Sequence, residues 1–122
     1  MPILQVEIVD NPGASLAPGL AQRLADAAGR VLGAAPGTTW VTVNLISSER
    51  YAESGGDGGP GYRPIFVRVL KRALPEGSAR ASEVAALTGA IAEVCGWSAA
   101  QVHVIFEPPA LGRVAFGGAI VE

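Results

Sequence analysis

The chain writes the same strand pattern twice, in one fixed register. Leu4, Val6 and Ile8 alternate with Gln5 and Glu7. Ile65, Val67 and Val69 alternate in the same way with Phe66 and Arg68. A second pair of strands repeats at the same distance. Val41, Val43 and Leu45 match Val102, Val104 and Phe106, and both matches are offset by 61 residues (65 − 4 and 102 − 41). Side chains on a strand point alternately to its two faces, so a one-residue slip would turn every apolar position outward. An apolar helical pattern lies between the two strands of each half. Each half is therefore strand, helix, strand, a unit that joins parallel strands by a right-handed crossover. Two copies predict an α/β (α+β) fold of duplicated β-α-β units, with a four-stranded mixed sheet and two helices on one face.

The punctuation agrees with this plan. "DNPGAS" after the first strand is a turn cluster, with Ser15 as the expected N-cap. Leu16, Leu20, Leu24, Ala27, Ala28 and Val31 follow at helical spacing, with Pro18 in the first turn and Gly33 as the stop. The second helix carries Val84, Leu87, Ile91 and Val94, with Ser82 near its start and Gly96 after its end. "ESGGDGGPGYR" is glycine-rich but runs into a strand. A phosphate-cradling loop should open a helix, so this stretch reads as a connection. The chain is thus one domain over 1–122: repeat one about 1–56, a Gly-rich connection about 53–63, and repeat two about 64–122. In this register Pro64 is not the counterpart of Pro2, and its nitrogen is an amide.

Charge and composition exclude several functions. A net charge of −2 without clustered cations argues against a nucleic-acid partner. No apolar run approaches the ~20 residues of a membrane span, and the N-terminus lacks a signal-peptide layout, so a cytoplasmic location is expected. One Cys, Cys95, rules out an internal disulfide, and with a single His it argues against a metal site. The sheet face opposite the helices would carry Gln5, Glu7, Thr42, Asn44, Phe66, Arg68, His103 and Ile105. That mixture predicts cover by another subunit.

The Met-Pro start, the two β-α-β repeats, and "RYAESGG" echoed by "RVAFGG" together resemble the tautomerase superfamily. That group includes 4-oxalocrotonate tautomerase, 5-(carboxymethyl)-2-hydroxymuconate isomerase and macrophage migration inhibitory factor. The resemblance spans essentially the whole chain. It implies a homotrimer, no cofactor, and a catalytic proline exposed by removal of Met1. Pro2 would then be a secondary amine. Burial and a nearby cation both disfavour its protonated form, which leaves a usable general base. By the same resemblance, Arg72 would hold a substrate carboxylate and stabilise enolate charge, against the alternative of a surface arginine. His103 and Tyr51 fall at pocket positions, against interface and packing roles respectively. Arg50 would reach a neighbouring pocket or sit in a solvated turn. Arg68 is expected to pair with Glu7, Arg113 and Phe116 to belong to an intersubunit hairpin, Trp40 and Trp97 to pack, and Cys95 to be inert core. The chain departs from the short family members: the first strand ends without an arginine, and Thr42 stands where they carry another. Glu49 is the candidate acidic partner for hydration or decarboxylation.

These residues point first to keto–enol tautomerisation of a small 2-oxo or 2-hydroxy-enoic acid. A sibling reading is a hydratase or decarboxylase using the same amine. The alternative from another class is non-catalytic: a silent tautomerase-fold trimer, or a ferredoxin-like module that binds a small ligand.

Overall fold

A computed structural model describes residues 2–56 and 61–122. Met1, whose removal is expected, and the middle of the Gly-rich connection lie outside the described residues. The strand alternation gives β1 (Ile3–Asp10), β2 (Trp40–Ser47), β3 (Ile65–Leu70) and β4 (Val102–Phe106). They form one sheet in the order β2-β1-β3-β4. β1 and β2 run parallel, as do β3 and β4, while β1 and β3 pair antiparallel at the centre. Leu4 pairs with Val41 and Ile65 with Val102, so both halves share the predicted register.

The helices α1 (Leu20–Val31) and α2 (Gly77–Cys95) pack together over one face of the sheet. Leu4, Val6 and Ile8 from β1 meet Ile65, Val67 and Val69 from β3 beneath Leu20, Leu24, Ala28, Leu87 and Ile91. All of these are at most 7% exposed. Removing so much apolar surface from water is the dominant stabilising term.

α1 begins four residues later than Leu16, and its N-cap is Gly19 rather than Ser15. The cause is local. Leu20 N–H bonds the Ala17 carbonyl at 3.2 Å across Pro18-Gly19, and Gly19 has φ 73°. Proline then left-handed glycine at the two central positions makes a type II turn, which a helix cannot run through. The helix ends as predicted. Ala34 N–H bonds the Gly29 carbonyl and Gly33 N–H the Arg30 carbonyl, a Schellman closure around left-handed Gly33. α2 likewise stops at Gly96, with φ 72°, but starts five residues before Ser82.

Two short strands follow, β5 (Ala115–Phe116) and β6 (Ala119–Ile120), joined by Gly117-Gly118. Both glycines have positive φ, as a two-residue hairpin requires. Arg113 fastens the hairpin's base by donating to the Pro108 and Pro109 carbonyls.

Candidate active site

Pro2 is buried at the mouth of the central strand β1. Its carbonyl accepts the Trp40 N–H at 3.0 Å, which fixes the residue against β2. On the helix-free face beside it, Trp40 and Phe116 meet edge to face at 5.2 Å. With Gly37 and Thr38 they line a cleft of about 210 Å³. Trp40 is 54% exposed, so it does not serve as simple packing. The hairpin of β5 and β6 thus folds back within its own chain at this end.

Arg72 lies at the same end, just past β3. It is exposed, and its Nε donates to the Glu122 carbonyl at 2.8 Å. Arg68 does not pair with Glu7. Its guanidinium approaches Glu107 at 3.4 Å, which lies just past β4 and diagonal to Arg68, as Glu7 does on β1. Arg68, Glu107 and Arg113 line a second cleft, of about 340 Å³, with Ile3 and Leu70.

Tyr51 and His103 lie elsewhere. His103 pairs with Phe66, which in turn pairs with Glu7 of β1. Glu7 is five residues from Pro2, roughly 16 Å along a strand. At that end Tyr51, Phe66 and His103 form an aromatic seam, with ring centroids at 6.0 and 5.5 Å. The Tyr62 hydroxyl lies 3.1 Å from His103 Nε2. Tyr51 donates a hydrogen bond to the Glu53 carboxylate. That bond, then burial, then the nearby negative charge push its phenol from 10.0 to about 12. Near neutral pH Tyr51 is therefore a donor and not a base. Arg50 closes an exposed 3-10 turn, Ser48–Arg50, next to Tyr51, and Glu49 is exposed in the same turn. One chain therefore brings Pro2 and Arg72 to one end, and Tyr51, His103 and Arg50 to the other.

Cys95 packs against the core, and burial raises its thiol above the ordinary value, with Arg23 opposing. Trp97 anchors the far end by donating to the Arg63 carbonyl at 2.7 Å. Among the described residues, no group of three His, Cys, Asp or Glu side chains is placed to hold a metal, and no helix is long and apolar enough to cross a membrane.

Lys71, Thr39 and Glu83 were missed by the sequence reading. Lys71 and Thr39 continue the inward alternations of β3 and β2 by one step past each strand end. Lys71 Nζ meets Glu83 of α2 at 2.7 Å, both side chains largely buried. Extending the alternation beyond the apolar residues would have exposed this pair.

No protein-family model matches the chain, and no curated protein matches it. Solved structures do. A wild-type fused 4-OT, described as a symmetric trimer, superposes with a TM-score of 0.68 at 22% identity, covering 88% of this chain and 86% of that one. A macrophage migration inhibitory factor homologue from Prochlorococcus marinus gives 0.69 at 23%, over 98% and 99%. A malonate semialdehyde decarboxylase inhibited by 3-bromopropiolate gives 0.68 at 15%, over 94% and 88%. The chain has the tautomerase fold that these structures share.

Proposed function

We propose that this chain is a cofactor-independent keto–enol tautomerase of a small 2-oxo or 2-hydroxy-enoic acid, working as a homotrimer with Pro2 as its base. The observation that carries this reading is the burial of Pro2 at the end of the central strand, its carbonyl bonded to Trp40 of the aromatic cleft, on a tautomerase fold. Once Met1 is removed, the Pro2 nitrogen is a secondary amine. In its neutral form it takes a proton from the enol hydroxyl, or from the carbon beside the carbonyl, and returns it at the other end of the conjugated system. The electron pair moves through the enolate, and no redox partner is needed. Arg72 binds the substrate carboxylate. A guanidinium carries five donors, so its single bond to Glu122 leaves a fork for two carboxylate oxygens.

In a closed ring, the sheet end of one subunit that bears Tyr51, His103 and Arg50 would face the Pro2 end of the next. That arrangement explains why one chain divides these residues between its two ends. The likeness to a malonate semialdehyde decarboxylase supports hydration or decarboxylation at the same amine as the sibling reading.

The test compares three proteins on enol acids across pH: trimmed, Met1-retained, and Pro2→Ala. Only trimmed wild type should turn over fully, with activity falling on acidification as the amine is protonated. Light scattering should give the mass of three chains. Equal rates from all three proteins would sink the amine mechanism, and rates no higher than the uncatalysed reaction would leave a non-catalytic trimer. Release of carbon dioxide from a 3-oxo acid, without enol turnover, would select the decarboxylase.

A further inference from the structure

The row of inward-facing residues across the Pro2 end of the sheet is polar, unlike the rows behind it. Leu4, Val41 and Val69 form the last apolar row, since Leu4 pairs with both of the others. One step beyond the strand ends lie Pro2 before β1, Thr39 before β2 and Lys71 after β3. The backbone of β3 stays extended to this level. Val69 and Lys71 both offer their carbonyls to the same side, to Glu107 N–H at 2.9 Å and Ala110 N–H at 2.8 Å. Val9 N–H bonds the Pro64 carbonyl at 3.1 Å, which fixes the antiparallel phase of β1 and β3. Counting back from that bond, Pro2 and Lys71 fall at a non-hydrogen-bonded position, where facing Cα atoms are about 4.5 Å apart and side chains closest.

The duplication supplies a check on this placement. The same 61-residue offset carries Pro2 onto Arg63 and Asp10 onto Lys71. At that equivalent position the side chains do meet: Arg63 Nε lies 3.5 Å from Asp10.

Two buried side-chain oxygens lack a hydrogen-bond partner among the described residues, Thr39 Oγ1 and Glu83 Oε2. Thr39 belongs to this row, and Glu83 is tied to it through Lys71. Buried polar atoms are normally satisfied, so two orphans at one level call for an explanation.

We propose that the Lys71–Glu83 pair, and not Arg72, is the electrostatic partner that sets the protonation of the Pro2 amine. This rests on the reading of Pro2 as a free amine. Glu83 cancels the charge of Lys71, so Pro2 stands beside a balanced pair rather than a bare cation. The second Glu83 oxygen is buried with its acceptor capacity unused among the described residues. Both groups are positioning residues, acting through Pro2 without touching substrate.

Other charged groups also stand at this end: Arg68, Glu107 and Arg113 line the cleft that includes Ile3. β2 offers only Thr39 and Trp40. Asp26 and Arg30 of α1 line the groove outside Thr39. Arg72 is exposed just past β3, and its Nε is already bonded to the Glu122 main-chain oxygen.

The test is direct titration of the Pro2 nitrogen by NMR in trimmed, ¹⁵N-proline-labelled protein, which does not depend on turnover. Glu83→Gln leaves Lys71 uncompensated, which disfavours the prolinium and should lower the Pro2 pKa by about one unit. Lys71→Met leaves a bare carboxylate, which favours the prolinium and should raise it by a similar amount. Removing both charges together should return it close to the parental value. Arg72→Ala should move it less than either single change. Opposite shifts with cancellation in the double variant have no counterpart in a purely structural role. If Lys71→Met does not fold, the fall in Glu83→Gln and its reversal in the double variant decide alone. Unmoved titrations, shifts of one sign, or a dominant effect of Arg72→Ala would overturn the proposal. If the titrations behave as stated but Pro2→Ala keeps full turnover, the amine mechanism falls and the pairing stands.

Discussion

Replacing glycine by alanine at two positions of one helix should change stability in opposite directions. Gly89 lies inside α2 on its exposed side, with open space where a Cβ would project. Alanine there gains helix propensity of about 0.8–1.0 kcal/mol and meets nothing. Gly96 closes the same helix with φ 72°, and a Cβ there would also project into open space. Its substitution isolates the backbone term: a left-handed conformation costs an L-residue roughly 1–2 kcal/mol. The two variants should therefore differ by about 2–3 kcal/mol for one identical chemical change. At about 2.1 cal/mol/K per residue, a chain of this length shifts in Tm by about 4 °C per kcal/mol. Gly89→Ala should melt about 3–4 °C above wild type, and Gly96→Ala about 4–8 °C below it. Urea unfolding at one fixed protein concentration should reproduce both signs through the midpoint, with unchanged slope. Destabilisation of equal size at both sites would refute the reasoning, because it would mean that sterics rather than φ decide.

Two further outcomes follow from single side chains. In an ultraviolet pH titration, Tyr51 should ionise with a midpoint of about 12, and Glu53→Gln should bring it down toward 10.0, since the carboxylate both accepts its proton and repels the phenolate. Cys95 should react slowly with a disulfide reagent near neutral pH and rapidly once unfolded, because burial holds its thiol protonated; equal rates in both states would contradict its packing.

What the sequence made legible was set by local alternation. Leu4, Val6 and Ile8 against Gln5 and Glu7 define a face without reference to anything else, and the 61-residue offset then orders both halves. Ser15 misled because capping preference is a local signal, and the Pro18-Gly19 turn that follows it outweighs it. The partner of Arg68 was out of reach for a different reason. Glu7 and Glu107 are both diagonal to it, one on each flanking strand, and the choice between them depends on side-chain conformation rather than spacing. The contact of Trp40 with Phe116 joins residues 76 positions apart (116 − 40) through a hairpin whose path no periodicity describes. Lys71 is the next inward position after Val69, but a charged residue breaks the apolar pattern, and only its Glu83 partner on α2 lets it face inward.

The near-symmetry of the sheet has a consequence for counting. Its two ends are built alike, yet at one the row carries Pro2 and at the other Arg63, clamped by Asp10 at 3.5 Å and by Asn11 at 2.6 Å. Pro64 beside it has its nitrogen locked in a peptide bond. If Pro2 is the free amine proposed above, a reagent that alkylates a terminal secondary amine has one address per chain, not two. In the trimer proposed above, titration to completion should consume three equivalents, one for each chain.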